Sequence, residues 1–144
     1  MSSFKAFDIA GSGMSAQSVR LNTTASNLAN AESVSGTADG VYKARHPIFE
    51  AVRAQLAAGL NGQDAASGAA VRVRGIYESQ APAAQRYEPG NPLADPNGYV
   101  YAPAVNVVEE MVNMISASRS YQNNVEVMNT SKDLLLATLR LGQG

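Results

Sequence analysis

The sequence predicts a mainly α fold with a small β-rich insert: N- and C-terminal helices paired as a long coiled-coil-like hairpin, joined by an extended, strand-rich middle segment. Three observations predict it. Phe7, Met14, Leu21 and Leu28 recur every seven residues near the start. Met114, Tyr121, Met128 and Leu135 do the same near the end, with Met111, Val125 and Leu139 on companion positions. Between them lie short alternating runs broken by Gly, Pro, Asn and Asp. A seven-residue repeat of single large side chains makes a narrow seam, as in coiled coils, rather than the broad apolar stripe of a globular helix.

In the first helix, expected over residues 4 to 31, small residues follow the large ones four positions on, at Gly11, Ser18 and Ala25. Such a helix would be about 42 Å long at about 1.5 Å per residue. Gly11 and Gly13 weaken it, since each Gly costs about 1 kcal/mol relative to Ala in a helix interior. "GSG" at 11–13 lacks the further glycines and the preceding strand of a phosphate loop, so it reads as a flexible or closely packed joint. Residues 1 to 31 hold six Ser, two Thr, three Asn and one Gln but only three charges, Lys5, Asp8 and Arg20. Ser, Thr and Asn are mediocre helix formers, and most helical stability in proteins comes from packing, so this helix is marginal by itself. Neutral polar side chains suit a crowded helix–helix contact because they strand no charge there.

The second helix, expected over 107 to 141, has clearer ends. Asn106 is placed as N-cap with Glu109 three positions on, and Gly142 as the terminating C′ residue. Ser118 and Lys132 interrupt its companion row, and none of its charges has an opposite partner at i±3 or i±4. Glu109 and Glu110 sit in the first turn, where the helix dipole favours them. The terminal segments 1–34 and 106–144 are therefore read as one helical unit and 35–105 as the insert.

Within the insert, "SVSGTADG" reads as a flexible connector. "VYKARHPIF" reads as extended, because Pro47 disfavours helix at His46. Residues 48 to 60 suit either a helix or a strand. "NGQDAASGAA" reads as a loop, "VRVRGIYE" alternates like a strand with Arg72 and Arg74 on one face, and "DPNGYVYA" reads as a turn into a strand. "YEPGNPLADP", with three Pro between Pro89 and Pro96, is expected to be extended and stiff.

Composition narrows the function classes. The chain of 144 residues has a formal net charge of -1 and no Lys/Arg cluster, so an electrostatic footprint for nucleic acid or anionic lipid is missing. There is no Cys, and His46 is the single His, a poor basis for a metal centre or a His-based triad. No catalytic, metal-binding or cofactor-binding set is expected. The start lacks the apolar run of a cleaved leader, and no run is long enough to span a bilayer.

"ASNLANAES", Ala25 to Ser33, resembles the N-terminal signature of the axial proteins of the bacterial flagellum, the rod, hook and hook-associated proteins. The run "NVVEEMVNMISASRSYQNNVEVMNTSKDLLLATLRLGQG" is similar to the matching C-terminal helix of that group. "ESQAPAAQRYEPGNPLADPNGYVYAPAVNVVEEM" resembles, more selectively, its proximal-rod members. Glu32-Ser33 and Asn123 depart from the usual pattern, and residues 36 to 70 carry little of the likeness. The resemblance implies a non-catalytic subunit of a helical tube that crosses the periplasm and transmits motor torque. It implies passage through the flagellum-specific type III export apparatus without a cleaved signal, with no membrane insertion. Implied partners are other copies, sibling proximal- and distal-rod proteins, and base-ring and export-gate components. The alternatives are a helical-hairpin export chaperone or adaptor, and another axial subunit.

On this reading Phe7, Met14, Leu21, Leu28, Met114, Tyr121, Val125, Met128, Leu135 and Leu139 form the hairpin seam. Asn27, Asn30, Arg119, Gln122, Tyr99 and Tyr101 are candidates for contacts between subunits. Asn27 and Asn30 lie on one face, either bridging to neighbouring helices through their amides or facing solvent near a helix end. Tyr121 serves equally as a seam residue or, with Arg119 and Gln122, as a contact.

Overall fold

The computed structural model describes residues 3–53 and 69–142. A first helix, α1 (Ser3–Asn30), is followed by a ribbon of two antiparallel strands, β1 (Arg45–Arg53) and β2 (Ala69–Glu78). A second antiparallel pair, β3 (Ala84–Tyr87) and β4 (Tyr99–Ala102), leads into the long α2 (Val107–Gly142). The chain is thus helix-rich, with a small two-sheet middle.

The two helices lie antiparallel. Arg20 Nη2 donates to Asn113 Oδ1 at 3.0 Å, and Asn27 Nδ2 to Glu110 Oε2 at 3.1 Å. Nearer the start of α1, a Cβ on Gly13 would fall 2.8 Å from Asn124 Nδ2, and one on Gly11 would lie 3.8 Å from Met128 Cε. The helix runs unbroken through both glycines. The "GSG" stretch is therefore a close-packing joint, and at Gly13 the missing side chain is what lets α2 approach. Between the elements the buried apolar side chains are mostly small: Ala10, Ala16, Ala31, Ala44, Ala102 and Ala117, with Val41 and Val100. Ala and Gly bring backbones close and bury little area each, so packing of this kind stabilises by fit more than by transfer of bulk.

Helix α2 starts where its cap predicts. Asn106 Oδ1 accepts from the amides of Val108 at 3.1 Å and Glu109 at 3.3 Å, which satisfies two of the orphan donors of the first turn. The helix extends to Gly142, one residue beyond the expected end.

The ribbon answers the ambiguity over residues 48 to 60 in part: Ile48 to Arg53 is strand, and the remainder lies outside the described residues. Its ladder pairs Ile48 with Gly75 and Phe49 with Val73, so Arg74 is an extra residue, a β-bulge. The bulge separates the two arginines read as sharing a face; Arg72 pairs with Glu50 at 2.9 Å. Strand β2 is pinned to α1 by Ser12, whose Oγ accepts from Val71 N at 3.0 Å and donates to Ile9 O at 2.8 Å.

Two expectations for the loops fail. The "SVSGTADG" segment is not a free connector: Ser35 and Tyr101 exchange both backbone hydrogen bonds, and Thr37 caps a short 3-10 turn at Ala38–Gly40. Residues 88 to 98 are not extended but fold into successive turns. Asn91, Ala94 and Gly98 amides bond back to Glu88, Asn91 and Asp95 carbonyls, while Asp95 Oδ1 takes the amides of Asn97 and Tyr99, both at 2.9 Å. The prolines there pre-set backbone angles and remove donors, and Asn and Asp side chains gather the remaining amides, so the stretch turns instead of reaching out. Glu88 closes the motif, with its pKa lowered first by the Asn91 amide and then by Arg86.

Gly98 has φ +82°, and a Cβ there would meet Tyr87 Cε2 at 2.9 Å and Pro89 Cβ at 3.2 Å. Gly98→Ala should cost more than about 1 kcal/mol through backbone strain and overlap. Urea denaturation followed by the tyrosine signal measures it; an unchanged midpoint refutes it.

Candidate functional site

The least expected arrangement centres on Asn27. Its residue is 1% exposed, and its amide uses all four of its hydrogen-bonding positions inside the chain. Nδ2 donates to Arg45 O at 2.9 Å and to Glu110 Oε2 at 3.1 Å. Oδ1 accepts from Arg45 N at 2.8 Å and from Tyr42 Oη at 2.9 Å. One side chain thereby ties α1 to the start of β1, to the segment before it and to the first turn of α2. A primary amide suits the post because it has two donors and two acceptor lone pairs in one plane, and the Arg45 peptide supplies the complement of each.

The opposing carboxylate is also internal. Glu110 is 5% exposed. It sits in the first turn of α2, where unpaired backbone N–H groups favour negative charge. Burying a carboxylate is unfavourable without such partners, and the Asn27 amide gives it a direct one. The Arg45 guanidinium points elsewhere: it pairs with Glu78 at 3.1 Å and lies 5.8 Å from the Tyr42 ring centroid. Burial raises the pKa of the Tyr42 phenol above its ordinary value, Arg45 opposes this, and Glu110 and Glu78 add to it. The phenol is accordingly a proton donor to Asn27 at neutral pH.

Asn27, a candidate for subunit contact read as either bridging to neighbouring helices or facing solvent, bridges to α2 and β1 of its own chain, with all four amide positions used there. Asn30 is half-buried at the end of α1, its Nδ2 donating to Ser26 O at 2.8 Å. Tyr101 is half-buried and held through its backbone to Ser35. Tyr99 is exposed with its ring 5.2 Å from that of Tyr87, while Arg119 and Gln122 are exposed on α2.

Of the seam candidates, Phe7, Met14, Leu21, Leu28, Met114, Val125, Met128 and Leu135 are half-buried. Tyr121 at 36% exposure and Leu139 at 62% lie at the surface of the single chain. The deepest helix positions belong to small or polar residues between the large ones: Ala10, Ala16, Thr23, Thr24, Asn27, Glu110 and Ala117. Two functional residues escaped sequence reading. Glu110 was assigned with Glu109 to the helix dipole alone, and Tyr42 carried no signal. No local signal separates Glu110 from Glu109; its burial follows from the approach of α1.

Elsewhere the chemistry is sparse. His46 stacks on Tyr77 with centroids 5.3 Å apart. Among the described residues no group of three or more His, Cys, Asp or Glu is placed to hold a metal ion, and no helix is long and apolar enough to cross a membrane. The site's chemistry is that of a structural joint.

Asn27→Ala leaves the Arg45 peptide, the Tyr42 hydroxyl and the Glu110 carboxylate without their common partner. At roughly 1–3 kcal/mol per orphaned buried group, a loss of at least about 2 kcal/mol is expected in urea unfolding. Asn27→Asp should be at least as harmful, because it sets a second carboxylate against Glu110. A loss below about 0.5 kcal/mol, the range of an ordinary surface substitution, would remove the amide from this central role.

Comparison with known proteins agrees with a structural part. Residues 7–36 match the family described as flagella basal body rod protein, and residues 97–141 match the C-terminal family of flagellar basal body rod FlgEFG proteins. The flagellar basal-body rod protein FlgC of Salmonella typhimurium is 55% identical over 140 residues, covering 95% of this chain and 96% of its own. That of Yersinia enterocolitica is 54% identical over 143 residues, covering 99% and 100%. That of Aquifex aeolicus is 43% identical over 140 residues, covering 96% of each. With identity this high along nearly the whole of both chains, the protein belongs to the family of flagellar basal-body rod proteins.

Proposed function

We propose that the chain is a structural subunit of the proximal rod, polymerising with copies of itself and sibling rod proteins into a helical tube that crosses the periplasm and transmits torque. In this reading residues 1–34 and 106–144 form the polymer core, paired in coiled-coil fashion along the seam named above. Residues 35–105 form an outer part that meets neighbouring subunits. Base-ring and export-gate components adjoin it, and it reaches its place through the type III export apparatus.

One observation supports this most directly: α2 is apolar on faces that its own chain leaves bare. Val108 is 70% exposed and Leu141 84%, and Met111, Val112, Ile115, Leu134 and Leu139 are each more than half exposed. Single exposed apolar residues are ordinary, but this many along one helix point to partners. The family to which the chain belongs supports the same reading.

Deleting the gene should leave a membrane base without rod, hook or filament, seen by electron microscopy of isolated basal bodies; normal flagella in such a strain refute the reading. The exposed pair Arg119 and Gln122 gives a finer test. Replacing both by Ala should leave the helix content of the purified chain unchanged while reducing swimming in the complemented strain. Full motility would exclude these two from any contact that assembly needs.

A further inference from the structure

We infer that Asn27 and Glu110 act as the register lock of the helical hairpin, the contact that decides which turn of α2 lies beside which turn of α1. The reason is what surrounds them. Elsewhere Asn124 and Met128 of α2 approach the bare backbone of Gly13 and Gly11, and the buried apolar positions of the two helices, Ala10, Ala16 and Ala117, are all alanine. Small, similar side chains repeated along a seam present much the same surface after a shift of one heptad, so they specify alignment poorly. Arg20 reaches Asn113, but from a long, half-buried side chain able to follow a shift.

Asn27 and Glu110 cannot follow. Sliding α2 so that Asn27 faces Ala117 leaves the amide against a methyl group and puts Glu110 beyond the last turn of α1. The opposite slide carries Asn27 past the start of α2 to Pro103. Either shift separates a buried amide from a buried carboxylate, and the same amide is held by the Arg45 peptide and the Tyr42 hydroxyl. A single buried polar residue that selects register at some cost in stability is a known device in paired helices. The inference concerns the single chain, and it stands or falls without reference to rod assembly.

The absence of Cys makes the test clean. Three reporters of the full chain are prepared in trimethylamine N-oxide, which favours the compact state. The observed alignment is reported by Gly13→Cys with Asn124→Cys. The two heptad slips are reported by Gly13→Cys with Ala117→Cys or with Ser131→Cys, each also carrying Asn124→Ala to free space beside the new thiol. Mild oxidation and peptide mapping give the rate of each intrachain disulfide.

In the natural background the Gly13→Cys/Asn124→Cys bond should form at least roughly tenfold faster than either slipped bond, the ratio given by about 1.4 kcal/mol. With Asn27→Leu and Glu110→Leu together the pair across the helices becomes apolar; the Arg45 peptide and the Tyr42 hydroxyl lose their bonds to Asn27, a cost that trimethylamine N-oxide offsets so that helix pairing should persist, while the ratio falls toward one. An undiminished ratio in that background overturns the inference, as does the absence of preference in the natural one. Loss of helix by circular dichroism in the double-Leu chain also overturns it, since the pair would then supply stability and not alignment.

Discussion

A single side-chain amide in the middle of the molecule holds three elements that otherwise have few reasons to meet. Helix α1 is rich in Ala, Ser and Gly, the ribbon has only two strands, and the loops carry much of the polar bonding. Asn27 joins them because its four hydrogen-bonding positions match what the Arg45 peptide, Tyr42 and Glu110 leave open. A fully satisfied buried polar group specifies one arrangement, since every near-alternative strands a donor or an acceptor. The surface ion pairs among the described residues, such as Arg45–Glu78 and Arg72–Glu50, add little beside it.

How far the fold could be read in advance depended on how local the cause was. The helix ends followed from Asn106 and from the spacing of large residues, both local signals, and β2 followed from its alternation. What failed needed a distant partner. Residues 88 to 98 looked extended because Pro is stiff, yet Asp95 and Asn91 collect amides only once the chain has turned back on itself. The "SVSGTADG" stretch looked loose because its composition is loose, and it is Tyr101, far away in sequence, that ties it down.

The same holds for the site. Asn27 reads in sequence as a residue that either bridges neighbouring helices or faces solvent, and composition cannot say whose helices. Glu110 stood beside Glu109 in an identical local setting, and only the approach of α1 separates a buried carboxylate from an exposed one. The large residues of the heptad rows are mostly half-buried, while the deepest helix positions are held by small and polar residues between them. Family likeness, resting on short stretches such as "ASNLANAES", reached the right family where hydrophobic patterning reached only a class.

The bare apolar flank of α2 has a kinetic meaning. In the single chain Val108, Val112 and Leu141 stand exposed to water. An end already several chains wide offers contacts on more than one side at once, so recruitment there is favoured over fresh starts in solution. In the proposed assembly, growth of that kind is template-limited: the number of platforms, rather than the amount of subunit, sets how many structures begin.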